Sequence, residues 1–303
     1  MIDLSKILLK KVDLPNGETL GYREREGGEK IILLIHGNMT SSKHWDVVLE
    51  NMDPKYKLYA VDLRGFGVST YKNIIKEVRD LSEDVRLFVD QLNIQPYAIV
   101  GWSMGGEVSL QYCADHVDAC EKLLLINSGS TRGYPVYPLG KDGLPVVTQR
   151  LETYEEIRAD KTKTQIVQGA YDAKNKDLLK AIWDLTIYRK RKPDAEKYDE
   201  YLEDMLTQRN LAETYHMQNI FNIGSAHNGL VEGTNQAKNI NIPVLVMHGN
   251  EDIIVNEKMT NEILEDIGPN AEYKKLTGCG HSPLIDDLDM LLNTMESFLD
   301  RKE

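Results

Sequence analysis

The chain has 303 residues, 41% hydrophobic and 28% charged, which supplies a sizeable soluble core and excludes a disordered or fibrous polymer. Its 48 acidic residues outweigh 36 basic ones, for a formal net charge of −12, which argues against a nucleic-acid partner and against docking on anionic lipid. Three cysteines (Cys113, Cys120, Cys279) fit no zinc or CxxC spacing, and no run approaches the ~20 apolar residues of a membrane helix, so a cytoplasmic protein without integral membrane association is expected.

At the N-terminus, MIDLSKILLKKVDLPNG has an apolar stretch too short and too charged for a signal peptide. Glu18 to Glu24 reads as a strand after the Asn16-Gly17 turn. Lys30 to Ile35 (KIILLI) is a continuous apolar run, as expected of a strand buried on both faces. A polar helix-starting stretch covers Thr40 to Glu50, and Leu58 to Val61 is the next strand. Between Glu77 and Leu92 the residues Val78, Leu81, Val85, Phe88 and Leu92 form one helical stripe. Tyr97 to Val100 is a strand, Met104 to Cys113 a helix, and Lys122 to Ile126 a strand. This alternation predicts a mostly parallel, doubly wound sheet with helices on both faces.

The rhythm breaks after Asn127. No buried strand is expected from Ser128 to Asn241. Leu178, Ile182 and Leu185 fit one helical stripe, and Tyr198, Tyr201, Leu202 and Met205 another. The basic run Tyr188 to Pro193 (YRKRKP) reads as a solvated helix end. Val244 to Met247 resumes as a strand, Glu257 to Ile267 as a helix, and Glu272 to Leu276 as a strand. A last helix carries Leu288, Leu291, Leu292, Met295, Phe298 and Leu299. One sheet domain, residues 1–130 and 236–303, is therefore expected to carry a helical insertion at 131–235.

Gly101-Trp102-Ser103-Met104-Gly105-Gly106 directly follows a strand and opens a helix. In that context G-x-S-x-G presents a nucleophilic serine on a strained turn at the carboxyl edge of the sheet. A serine needs a base, and the base an orienting acid. The strand VLVM runs into His248-Gly249-Asn250-Glu251-Asp252, and EYKKL into Thr277-Gly278-Cys279-Gly280-His281. Serine, acid and histidine thus fall in chain order at three loop edges, with Glu251 and Asp286 competing with Asp252 for the acid. The backbone N–H of Met104, next after the serine, is the expected first oxyanion donor, and the loop holding His36-Gly37-Asn38 the source of the second. His36 and His248 read as structural loop histidines. Asp62 to Ser69 (DLRGFGVS) reads as a structural turn in which Asp62 and Arg64 pair.

Together these motifs resemble the α/β-hydrolase superfamily, in its order and over nearly the whole chain outside the insertion. The resemblance implies an α/β-hydrolase fold, selects Asp252 as the last residue of the H-G-x-x-D turn, and assigns the second oxyanion N–H to Asn38. HGNMTSSKHW, GWSMGG and the chain length further resemble Bacillus-type intracellular poly(3-hydroxybutyrate) depolymerases. That narrower likeness implies an ester substrate, short-chain polyhydroxyalkanoate cleaved to 3-hydroxybutyrate at a granule surface. Ser103, His281 and Asp252 would act through an acyl-enzyme, with no metal or organic cofactor, and Trp102 would touch substrate. The insertion would form a lid, its Tyr134, Tyr137, Trp183, Tyr188, Tyr215, Met217 and Phe221 mostly packing it down. A generic carboxylesterase, lactonase, thioesterase, C–C hydrolase or perhydrolase would carry the same triad, and so would a slow-turnover receptor. An epoxide hydrolase or dehalogenase would have aspartate in place of Ser103.

Overall fold

The computed structural model describes residues 7–301. Met1 to Lys6, at the start of the stretch read for a signal peptide, lie outside the described residues. Eight strands form one sheet in the order β1-β2-β4-β3-β5-β6-β7-β8. They are β1 (Ile7–Asp13), β2 (Thr19–Arg25), β3 (Lys30–Ile35), β4 (Tyr56–Val61), β5 (Tyr97–Trp102), β6 (Lys122–Ile126), β7 (Val244–Gly249) and β8 (Ala271–Leu276). β1 and β2 pair antiparallel, as do β2 and β4, and every pair from β4 onward is parallel.

The continuous apolar runs at the centre are buried on both faces, and alternate residues go to opposite sides. Ile32, Leu34, Val100, Leu124 and Met247 join one core; Leu33, Ile35, Ile99, Leu125 and Val246 join the other. The second core is closed by α2 (Val78–Leu92), α3 (Met104–Asp115) and α9 (Glu257–Ile267), the first by α1 (Asp46–Asn51) and α11 (Leu288–Leu299). In α2 the buried stripe is Val78, Leu81, Val85, Phe88 and Val89. The α3 helix is buried from Met104 to Ala114, so the serine's helix has a rigid seat.

Strand β1 was not legible. Its ILLKKVD lies on a sheet edge with no residue fully buried, and consecutive Leu8 and Leu9 are both exposed. The helix expected over Thr40–Glu50 is a 3-10 turn, Ser42–Trp45, running into α1. Arg64 does not pair with Asp62. It grips Asp84 of α2 with its Nε and a terminal nitrogen, both at 2.6 Å, in a buried two-point contact. Asp62 instead accepts from the backbone N–H groups of Ser42 and Val68.

Between β6 and β7 the chain forms α4 (Tyr154–Ala159), α5 (Thr164–Asp172), α6 (Lys176–Thr186), α7 (Ala195–Met205) and α8 (Leu211–Ile220), with no strand. α7 buries Tyr198, Tyr201, Leu202 and Met205. α6 is turned slightly from the expected stripe: Leu179 and Trp183 are buried, Leu178 and Ile182 are half-buried against the same core, and Leu185 is 73% exposed. The buried side chains of these helices are continuous with the core that contains Trp102 and α11. Among the described residues no helix is long and apolar enough to cross a membrane.

Candidate active site

Ser103 sits at the junction of β5 and α3 with φ 56° and ψ −122°, a conformation that costs a non-glycine residue energy and persists only where the surroundings impose it. They do so through close packing. A Cβ at Gly101 would lie 2.4 Å from the Gly105 carbonyl oxygen, and one at Gly105 2.2 Å from that of Ile35. The turn therefore admits nothing larger than glycine at either position, and it lifts the Ser103 hydroxyl above the carboxyl edge of the sheet.

His281 lies in the loop after β8, before the short helix α10 (Pro283–Asp286). Its Nε2 is 3.0 Å from Ser103 Oγ, and its Nδ1 is 2.8 Å from Asp252 Oδ2. The Asp252 side chain is fully buried and that of His281 nearly so. The other carboxylate oxygen of Asp252 accepts from the backbone N–H groups of Ile254 (2.7 Å) and Val255 (3.1 Å), which fixes its plane. The competing acids are engaged elsewhere. Glu251 is exposed and paired with Lys190 at 2.6 Å. Asp286 accepts from the N–H of Gly280 at 2.7 Å and of Arg191 at 3.1 Å, so it braces the histidine's loop.

The backbone N–H groups of Asn38 and Met104 donate to no hydrogen bond among the described residues. Gly37 holds the first of these loops against the nucleophile, for a Cβ there would stand 3.1 Å from Ser103 Cβ. The Asn38 side chain is occupied: its Oδ1 accepts from Met39 N–H and from Gln208 Nε2, each at 2.9 Å. His36 donates from Nδ1 to the Gly37 carbonyl and accepts the Leu63 N–H at Nε2; burial depresses its pKa. Trp102, expected at the substrate, is 2% exposed and donates its indole N–H to the His281 carbonyl at 2.9 Å. In this position it holds the histidine's loop onto β5.

Several residues around the site carry no sequence signal, because only the packing of the α4–α8 segment brings them there. Gln208 bridges the Tyr171 hydroxyl to Asn38. The Tyr134 hydroxyl donates to the Ile254 carbonyl at 3.0 Å, two residues past Asp252. Asp204 of α7 accepts from Ser41 and lies 3.3 Å from His44 Nδ1. The basic run is exposed but not free: Lys190 and the Arg191 N–H reach Glu251 and Asp286, and Lys192 reaches Asp184. The α4–α8 segment thus touches all three loops that carry the site.

Beneath the serine, Glu107 of α3 is fully buried. Its Oε2 accepts from Gln218 Nε2 at 2.7 Å, and its Oε1 has no partner among the described residues. Burial pushes its carboxyl pKa well above the ordinary value of 4.5. Above that ordinary value the unfolded chain releases a proton that the folded chain retains, so this group makes stability fall as pH rises. Glu107→Gln is expected to raise the melting temperature at pH 8 and to gain little at pH 5, by up to about 1.4 kcal/mol per pH unit of difference. Thermal melts at both pH values check it; an offset independent of pH would show that Glu107 is not held protonated.

Among the described residues no group of three His, Cys, Asp or Glu is placed to hold a metal ion. A cleft of about 760 Å³ lies at the opposite, amino-terminal edge of the sheet between Lys30, Lys122 and Arg301. There Lys122 is taken up by the carbonyls of Phe298, Leu299 and Arg301 at the end of α11.

Known proteins resemble this chain over most of its length. A 2-hydroxy-6-oxononadienedioate/2-hydroxy-6-oxononatrienedioate hydrolase from a Pseudomonas species is 21% identical, over 96% of each chain. A pimeloyl-acyl-carrier-protein methyl ester esterase from Legionella pneumophila is 24% identical over 92% of this chain and 98% of its own. Among solved structures, an esterase from Exiguobacterium antarcticum superposes with a TM-score of 0.73 at 17% identity, over 97% of this chain and all of the other; this is a likeness of fold. The family model of the alpha/beta hydrolase fold matches residues 30–288, a span that contains Ser103, Asp252 and His281, and the chain belongs to that family.

Proposed function

We propose that this protein is a serine-dependent carboxylic ester hydrolase that works through an acyl-enzyme on Ser103. The observation that carries the reading is the unbroken hydrogen-bonded series Ser103–His281–Asp252 beside two uncommitted backbone N–H groups. His281 Nε2 takes the Ser103 proton as Oγ attacks the ester carbonyl carbon. Asp252 keeps the remaining imidazole proton on Nδ1 and stabilises the imidazolium. The Asn38 and Met104 N–H groups receive the negative oxygen. Collapse breaks the bond to the alcohol oxygen, which leaves with the proton from His281. Water then gives its proton to His281 and attacks the acyl carbon, and the carboxylic acid departs as Ser103 Oγ recovers the proton. Every step uses water and groups of the chain itself, the side chains of the triad and two backbone N–H groups, without a cofactor.

For the substrate we propose a short-chain polyhydroxyalkanoate in the cytoplasm, cleaved to 3-hydroxybutyrate. The resemblance of HGNMTSSKHW and GWSMGG supports it. We read residues 131–235 as the lid of this site. The names of the relatives favour a second reading, a small-molecule esterase. Incubation with native, amorphous poly(3-hydroxybutyrate) granules, assayed for 3-hydroxybutyrate beside a panel of short-chain nitrophenyl esters, separates the two. Release from granules is the expected result. Turnover of esters with none from granules would leave the small-molecule esterase, and stoichiometric labelling of Ser103 without turnover would leave a receptor.

A further inference from the structure

The turn that carries Asn38 is strained. Met39, the next residue, has φ 61°, a left-handed backbone that a bulky side chain avoids. Such a conformation persists only where its surroundings hold it. Asn38 Oδ1 gathers two of the holding contacts: it accepts from the Met39 N–H and from Gln208 Nε2, each at 2.9 Å. The first bond closes the turn locally. The second comes from the link between α7 and α8, on the far side of the site.

Gln208 fits there only one way round. Asn38 Oδ1 is fixed as an acceptor by the Met39 N–H. Asn210 donates its Nδ2 to the Arg64 carbonyl at 2.9 Å, which leaves its Oδ1 facing Gln208 at 3.1 Å. The group between these two acceptors must therefore be the Gln208 NH2. The other end of the amide, Oε1, accepts from the Tyr171 hydroxyl at 2.9 Å. The backbone around it is anchored too: Thr207 Oγ1 accepts from the Gly67 N–H at 2.8 Å, and the Arg209 N–H donates to the Gly65 carbonyl at 3.0 Å. Gln208 is 5% exposed, so its donor is held in one orientation and out of competition with water.

We propose that Gln208 is a positioning residue for the oxyanion site. By holding Asn38 Oδ1 it fixes the strained Asn38–Met39 turn, and with it the direction of the Asn38 backbone N–H. It touches no reacting atom. Its effect falls on kcat more than on substrate binding, because the neutral ester carbonyl demands less of that N–H than the negative oxygen of the tetrahedral intermediate does. This rests on the reading of Asn38 as an oxyanion donor in a serine esterase.

The test is a double-mutant cycle on 4-nitrophenyl butyrate. Gln208→Met keeps the length of the side chain and removes the donor. It is expected to lower kcat by about 10- to 100-fold, the scale of a misplaced oxyanion donor, with KM within about threefold of wild type. Asn38→Ala keeps the backbone N–H, removes Oδ1 and should also lower kcat. Adding Gln208→Met to Asn38→Ala should then cost less than about twofold more, because the two act through one contact. An alkyl trifluoromethyl ketone supplies a second readout. Ser103 Oγ adds to its carbonyl carbon, His281 takes the proton, and the carbonyl electron pair moves onto the oxygen. Its dissociation constant should rise by the factor by which kcat falls. Tyr171→Phe removes only the hydroxyl that orients the amide. It should lower kcat by about 3- to 10-fold, the scale of one neutral hydrogen bond, and by nothing further in the Asn38→Ala background. This second cycle decides the matter if Gln208→Met does not fold. If the losses multiply in the Asn38→Ala background, or kcat falls with ketone affinity unchanged, Gln208 does not act through Asn38 and the inference fails while the esterase reading stands. Unchanged kcat in Gln208→Met overturns it equally. If the wild type turns over no ester, the esterase reading fails and takes this inference with it.

Discussion

Ser103→Ala is expected to lower kcat on any ester substrate by about 10⁴- to 10⁶-fold and to abolish labelling by a fluorophosphonate probe. The size follows from what is removed and what stays. The hydroxyl 3.0 Å from His281 Nε2 is the group proposed to form the acyl bond. Without it His281 activates only water, held in no defined line of attack. The Asn38 and Met104 N–H groups remain to stabilise an oxyanion, which is why a residual rate above the uncatalysed reaction is expected. The fold should be untouched, since alanine keeps the Cβ against which Gly37 packs and meets the same backbone strain that serine already bears. Activity within tenfold of wild type in a properly folded Ser103→Ala protein would remove the proposed mechanism altogether.

The parts of this site that could be read from sequence are those where a local pattern and a geometric task coincide. Apolar runs of five or six residues rich in Val, Ile and Leu suit strands covered on both faces and are too short for helices, so β3, β5, β6 and β7 stand out. The glycines flanking Ser103 mark a turn with no room for side chains. Strand β1 escaped because an edge strand buries little, and its Lys10 and Lys11 mask the alternation. Arg64 was given the wrong partner because Asp62 is near in sequence, whereas Asp84 is near in space: α2 folds its buried face over the turn. Trp102 illustrates a subtler limit. Its neighbour is the serine, yet a side chain one position along a strand points to the opposite face, and the indole ends under the histidine's loop.

The helical segment between β6 and β7 is where a sequence pattern says least. Its helices announce amphipathic stripes, but a stripe gives only a face and not what the face meets. On α6 the expected stripe holds at Leu178 and Ile182, which pack half-buried against the core, and fails at Leu185, because Trp183, one residue off it, takes the buried place. Gln208 and Tyr134 acquire meaning only once the chain between β6 and β7 is folded against the loops of Asn38 and Asp252. The same docking explains the basic run Tyr188–Pro193. It reads as a solvated helix end; its four basic residues are exposed but its Tyr188 is buried in the core, and Lys190 and the backbone of Arg191 fasten it to the very acids that competed with Asp252. That pairing ties the segment between α6 and α7 to the loops bearing the acid and the base.

Asp252→Asn is expected to lower kcat by about 10⁴-fold with little change in thermal stability. The substituted amide would keep its oxygen for the N–H groups of Ile254 and Val255, which donate to Asp252 Oδ1. Its nitrogen would then face His281 Nδ1, where the carboxylate oxygen now lies at 2.8 Å. An N–H there forces Nδ1 to accept and moves the imidazole proton to Nε2, the atom that must take the proton from Ser103. The variant is thus folded, with its three side chains in place and the base in the wrong tautomer. Phosphonate labelling should become slow yet still reach one equivalent, which distinguishes this variant from Ser103→Ala. Glu251→Gln and Asp286→Asn run beside it decide between the three acids. Glu251→Gln loses a surface ion pair with Lys190, worth at most about 1 kcal/mol, and should keep nearly full activity. Asp286→Asn keeps an acceptor for Gly280 and Arg191 and should lose far less than Asp252→Asn. If the largest loss instead fell on Asp286, the orienting acid would have to reach His281 from the helix side in the substrate complex, and the geometry described here would be a resting arrangement of the loop.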